Sequence, residues 1–217
     1  MKAYLKKRRL IPVIAVLALL LFGIIGYCLH EANRRLSEEE ITVLRETYPL
    51  CGNLSGLDMR YATMAEEIEH NDTFVYGTVE GESSTYVKSV LNGERQPEGT
   101  RPNGSAFLYE YYSYTVSVIE DSEGIYQGGE KIQIEAPMSF VDFNPRLSDG
   151  MKIVVPILLD SESETLTYFG AMGMYYVTED GYVLSVVDEA LMEMEEPLTG
   201  VKLEKLLEKV KKENFPQ

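Results

Sequence analysis

Residues Ile11 to Leu29, IPVIAVLALLLFGIIGYCL, run for 19 positions without a charged side chain. As a helix rising about 1.5 Å per residue, that stretch reaches roughly 28 Å, close to the hydrocarbon core of a bilayer. Lys2, Lys6, Lys7, Arg8 and Arg9 stand directly before it, and residues 1–29 contain no acid. A basic flank stays in the cytoplasm by the positive-inside rule. The pattern therefore predicts a cytoplasmic tail over 1–10, a single transmembrane helix over 11–29 and an extracytoplasmic remainder. A cleaved signal peptide competes with this reading. It wants a shorter apolar stretch and small residues at the cleavage site. Gly26-Tyr27-Cys28-Leu29 offers no A-x-A pattern, and Tyr27 before Cys28 is unlike the small residue that precedes a lipidated cysteine. A ten-residue tail is too short to fold an effector domain.

The rest of the chain is acidic. Five of the 20 Lys and Arg residues lie before residue 30, which leaves 15 against 35 Asp and Glu, a net charge of -20. Such a surface excludes a nucleic-acid partner, because binding a phosphate backbone requires a basic one. Two cysteines exclude a disulfide-dense scaffold and a four-cysteine zinc site, and two histidines argue against a histidine-built metal centre.

Hydrophobic periodicity divides the chain beyond the span into two parts. Residues 30–70 read as a helical juxtamembrane stalk. Ser37 and Glu40 have capping-box spacing, and Ile41, Leu44 and Tyr48 come after them at helical intervals until Pro49, predicting a helix over 37–48. A second short helix is predicted over 61–69. From residue 71 the period becomes two. Strands are predicted over 73–79 and 85–90, with Gly77 at a bulge or a close backbone approach. Another covers 107–120, with Tyr112, Tyr114, Val116 and Val118 on one face and Ser113, Thr115 and Ser117 on the other. Gly128-Gly129 opens a strand carrying Ile132 and Ile134. Asp149-Gly150 turns the chain into a more apolar strand over 151–159, and a further strand is predicted over 166–170. Tyr175 to Leu184 reads as a hairpin about Asp180-Gly181. Residues 92–106 are polar and rich in glycine and proline, a long loop. Leu203, Leu206, Leu207 and Val210 form the apolar stripe of a terminal helix over 199–214. The expected architecture is α+β, mainly antiparallel β: an OB-like barrel or a sandwich over 71–217 with a C-terminal helix, preceded by the transmembrane helix.

Three segments carry a resemblance: NDTFVYGTVEG at 71–81, YSYTVSVIEDSEGIYQGGEKIQIEA at 112–136, and LSDGMKIVVPILL at 147–159. Their order resembles that of small extracytoplasmic bacterial domains with an OB-like barrel, similar to netrin-like and metalloprotease-inhibitor-like modules. It covers about residues 71–160. Members of that group carry N-terminal cysteine pairs, whereas here only Cys51 lies near the start of the domain, so the resemblance implies a fold and no site residue.

Cys28 and Cys51 can pair only in an oxidising compartment, and no C-x-x-C spacing exists. His70 sits in EEIEHND at a predicted helix end, where capping explains it better than a catalytic triad. The acidic runs at 120–123, 160–164 and 193–196 do not fit a calcium loop and read as solvated turns. Asn53, Asn71 and Asn103 match the glycosylation triplet at chance level. Tyr109, Tyr111, Tyr112 and Tyr114 crowd one strand, so some must leave the core face, and Phe107 to Tyr112 is the expected contact surface. No catalytic, cofactor-binding or metal-ligating residue is assigned. The sequence therefore points to a membrane-anchored extracytoplasmic binding protein, with an envelope protein or a cell-wall polymer as partner. Its alternatives are an envelope hydrolase using paired carboxylates and an accessory subunit of a membrane complex.

Overall fold

The computed structural model of the chain describes residues 20–21, 23–24, 26–27, 30–31, 33–51, 64–89, 95–96, 108–137, 145–159, 167–168, 171–190 and 197–214. The chain forms two compact units, Met1–Arg35 and Leu36–Gln217. In the first, the described residues from Leu20 to Glu31, together with Asn33, are helical, and Leu20, Leu21, Ile24 and Tyr27 are all exposed. Among the described residues, no helix is long and apolar enough to cross a membrane. Most of the 11–29 stretch, including Cys28, lies outside the described residues.

The second unit is α+β. It holds α1 (Glu38–Leu44), α2 (Met64–His70), eight strands and α3 (Leu203–Asn214). The strands are β1 (Thr73–Ser89), β2 (Arg95–Gln96), β3 (Leu108–Asp121), β4 (Lys131–Pro137), β5 (Lys152–Leu159), β6 (Thr167–Tyr168), β7 (Tyr175–Val177) and β8 (Val183–Ser185). All join one sheet in the order β2-β1-β3-β4-β6-β5-β7-β8, and β1 pairs with β5 as well. One connected sheet replaces the two facing sheets that a sandwich requires. Every pairing is antiparallel except β4 with β6.

Alternation explains why these segments pair. The core-facing residues of β3 are those its sequence names: Tyr112, Tyr114, Val116 and Val118 meet Val75, Val79, Ile132, Ile134, Ile153, Val155, Tyr176 and Leu184 in the larger core. The opposite face of β1, β5, β7 and β8 is buried too. There Phe74, Val154, Tyr175, Val177 and Val183 lie under Leu203, Leu206, Leu207 and Val210 of α3 and Ile68 of α2. A strand covered on both faces has no reason to alternate, and KIVVPILL in β5 does not. Pro156 has no amide to donate. It falls where β5 has left β7, last paired at Val154, and has not yet met β6, first paired at Leu158.

The two strands predicted at 73–79 and 85–90 are one, β1, bent at two irregularities. At the first, Ile119 of β3 is passed over as pairing steps from Tyr76–Glu120 to Gly77–Val118. A Cβ at Gly77 would lie 2.5 Å from Val116 Cγ1 and 2.7 Å from the Ser117 carbonyl oxygen, so both expectations for Gly77 hold. Within the predicted loop 92–106, Arg95 and Gln96 pair back on Lys88 and Val87, and the rest lies outside the described residues.

The stalk expected over 30–70 divides differently. The boundary falls between Arg35 and Leu36, so the chain from Leu36 onward belongs with the sheet. Ser37 does form a capping box with Glu40. The helix ends at Leu44; its partly buried Ile41 and Leu44, and Tyr48 and Cys51 beyond it, pack on the larger core. Leu36 N donates to Gly200 O at 2.9 Å and Cys51 N to Val186 O at 2.8 Å. The terminal helix starts four residues later than predicted, because Gly200 and Val201 bond Val183 and Lys202 bridges Tyr182 along the edge of β8.

Candidate binding cleft

Three connections converge at one end of the sheet. The first is the tail of α1. Arg45 Nη1 donates to Ser185 O at 2.8 Å and to Tyr48 O at 3.2 Å, pinning this segment to β8. Tyr48 then lays its ring against Tyr176, with centroids 5.5 Å apart. Burial lowers the basicity of Arg45, while Glu189, Tyr176 and Asp188 nearby pull the other way. The second connection is the turn into β5. Gly150 has φ +80, a conformation that an L side chain rarely adopts. Its amide donates to Val79 O at 2.9 Å, and Gly81 N donates to Asp149 Oδ1 at 2.6 Å. The third is the β7–β8 turn, closed by Gly181 N on Thr178 O at 2.9 Å, with Gly181 at φ +74.

Between them lies a cleft of about 440 Å3, lined by Thr47, Tyr48, Asp149, Gly150, Met151, Lys152, Val177 and Glu179. That volume lies within the range of ligand clefts. Met151 and Tyr48 are half-buried and give the cleft its apolar surface, Val177 is buried with its side chain in the core under α3, and Asp149, Lys152 and Glu179 are exposed at the rim. Burial, and then the charge of Glu179, push the Tyr48 hydroxyl up, so it stays a neutral donor. Among the described residues, Lys152 makes no ion pair and Glu179 no side-chain hydrogen bond. No group of three or more His, Cys, Asp and Glu able to hold a metal ion occurs among the described residues.

The residues singled out in the sequence lie elsewhere. His70 ends α2, with Nδ1 2.7 Å from the Glu66 carbonyl oxygen, as capping requires. Cys51 is half-buried, and burial raises its thiol to about 12 despite Arg45, which leaves it a poor nucleophile. In the 120–123 run, Asp121 accepts from Tyr126 N at 2.6 Å, Glu123 N at 3.0 Å and the Thr73 hydroxyl, while Glu120 pairs with Lys211 at 2.7 Å. The runs at 160–164 and 193–196, with Asn53 and Asn103, lie outside the described residues. The Asn71 amide donates to Glu67 O. Within the expected contact surface 107–112, Tyr112 turns into the core and meets Tyr114 edge-on at 5.5 Å. Tyr111 leaves the core face and stacks on Tyr86 at 5.7 Å. Phe107 and the side chains of Leu108 and Tyr109 lie outside the described residues.

Sequence reasoning reached Asp149 only as a turn former and Glu179 only as part of the 175–184 hairpin, and did not reach Tyr48 or Lys152 as a site. The cleft draws on positions 47 to 179, and only strand pairing brings these together. The chain matches no known family model and no curated protein.

Proposed function

We propose that this chain is a single-pass membrane protein with its N-terminus in the cytoplasm, and that its acidic β-rich domain binds an envelope protein or a cell-wall polymer outside the membrane. Support for the anchor comes from the uncharged stretch 11–29 behind five cations, and from Leu20, Leu21, Ile24 and Tyr27 exposed on a helix. Exposed apolar side chains grouped on one helix call for an apolar surrounding.

The observation that carries binding over catalysis is how the carboxylates are used. Asp72, Asp121 and Glu189 accept backbone amides and serve as structural staples. Asp149 and Glu179, the two acids of the cleft, are both exposed. Glycoside cleavage by a carboxylate pair needs one acid set in an apolar pocket.

The proposed fold is an OB-like barrel with an added hairpin and helix. Its support is the pairing scheme: β1 to β3 to β4, then parallel to β6, antiparallel to β5, and back to β1. That is the strand order of a five-stranded Greek-key barrel, an architecture that offers one face and its loops to extended ligands.

In-cell crosslinking of the full chain, beside a chain with residues 11–29 replaced by an unrelated span, tests the reading. The same partner, at near-equal amount from both, is the expected result. Loss of the partner with the replaced span assigns the contact to the span and overturns it. A C-terminal alkaline phosphatase fusion, whose disulfides form only outside the cytoplasm, is expected to be active, and an inactive fusion overturns the topology.

A further inference from the structure

We propose that the cleft between Tyr48, Lys152 and Glu179 binds a short linear peptide whose ammonium and carboxylate ends are both free. This rests on the reading of the domain as a binding module and goes beyond the partner proposed there, giving the cleft a small ligand of its own.

The rim carries charges of both signs. Asp149 and Lys152 stand together where the chain turns into β5, and Glu179 stands on the β7–β8 turn. An anion alone would meet two carboxylates. A bare divalent cation would meet a lysine and too few oxygen ligands, since calcium takes six to eight. A ligand carrying both signs satisfies both. Lys152 offers three donors to a carboxylate, and Glu179 accepts from an ammonium; charge-assisted bonds of this kind are the stronger ones. Asp149 has one oxygen committed to Gly81 N and one left to share.

Spacing then sets the length. Lys152 lies opposite Val177 in the β5–β7 ladder, and Glu179 stands two residues later. Strands lie about 4.8 Å apart and rise about 3.3 Å per residue, so the two Cα atoms are on the order of 8 Å apart. A free amino acid carries its two charges on one carbon. An extended chain spans about 3.5 Å per residue, so two or three residues match the gap. Side chains of such a peptide have half-buried Met151 and Tyr48 to cover. The Tyr48 hydroxyl supplies a donor at the α1 wall. The acidic domain as a whole draws the cationic end inward.

The test is calorimetric titration of the full chain in detergent micelles with trialanine, N-acetyl-trialanine and trialanine amide. Trialanine is expected to bind saturably, and each blocked form to bind at least about tenfold more weakly. In Lys152→Gln the difference between acid and amide should vanish. In Glu179→Gln the difference between free and acetylated ends should shrink. Blocked peptides binding as tightly as trialanine overturn the inference, as does no saturable binding of trialanine up to about 10 mM. Both of these outcomes are read on the wild-type chain, so a variant that unfolds does not rescue the inference. If trialanine fails while crosslinking still yields the same partner from both spans, the peptide inference falls and the binding reading stands.

Discussion

At the end of the sheet where β1 begins, carboxylates are closed off; around the cleft they are open. Asp72 accepts Leu159 N at 2.7 Å, and Asp121 holds two amides and the Thr73 hydroxyl. Buried Glu189 goes furthest. Its Oε1 accepts the Tyr175 hydroxyl at 3.1 Å and Leu198 N at 2.9 Å, and Oε2 accepts Thr199 N at 2.8 Å. Asp149 gives one oxygen to Gly81 N, and Glu179 gives none to any described donor. All are acids in turn-rich sequence. A carboxylate whose oxygens meet orphan amides holds the fold; one that faces solvent beside an apolar floor is available to a ligand.

The contrast is sharpest at Glu189. Replacing it with alanine strands two backbone amides and a tyrosine hydroxyl in a buried site. Each unsatisfied buried group costs about 1–3 kcal/mol, and partial relaxation brings the expected loss to about 3 kcal/mol. Urea unfolding of the wild type and Glu189→Ala measures it, and a loss under about 1 kcal/mol would remove Glu189 from the staples. Asp121→Ala should come next at about 2 kcal/mol, because its amides lie nearer solvent and recover water in part. The same titration ranks the two, and an Asp121 loss larger than that of Glu189 would reverse the order of burial on which it rests.

The next effect is on pH. Burial raises the Cys51 thiol from 9.0 to about 12 in the folded protein, so folding favours the neutral form. Its contribution is complete below pH 9 and is lost as pH rises from 9 toward 12. By about pH 10 the loss is about 1 kcal/mol. Burial also pushes up the hydroxyls of Tyr175 and Tyr176, which extend the loss to higher pH. The urea midpoint should fall steadily above about pH 9, and less steeply in Cys51→Ala. An equal slope in that variant would mean that Cys51 is open to water, like the cleft acids.

Much of this fold is written in the sequence because it depends on local period and turn chemistry. The faces of β3, the Asp180-Gly181 hairpin, the α3 stripe and the bend at Gly77 all depend on near neighbours or on one side chain that does not fit. What stays hidden depends on partners far along the chain. Leu36, Ile41 and Tyr48 make the same helical pattern whether they form a stalk or seal a core. Only the bonds from Leu36 to Gly200 and from Cys51 to Val186 settle that. Tyr112 and Tyr111 are adjacent and alike, and alternation says that one turns inward without saying how exposed the other remains. Glu189 is one acid among 35, and nothing in its neighbours' spacing marks it as buried.

The smallest effects belong to the cleft, and their smallness is informative. Lys152→Gln and Glu179→Gln remove charges that no described group pairs, from exposed positions. Substitutions of that kind change stability by no more than about 0.5 kcal/mol. Both variants should unfold at the wild-type urea midpoint within that margin, while trialanine binding weakens. A loss of about 1 kcal/mol or more in either would show that the charge holds the turns together. The cleft acids would then join Asp121 and Glu189 as staples, and the contrast between the two ends of the sheet would disappear. Wild-type stability joined to weakened binding places these charges where evolution of a ligand site leaves them, at positions the fold does not need.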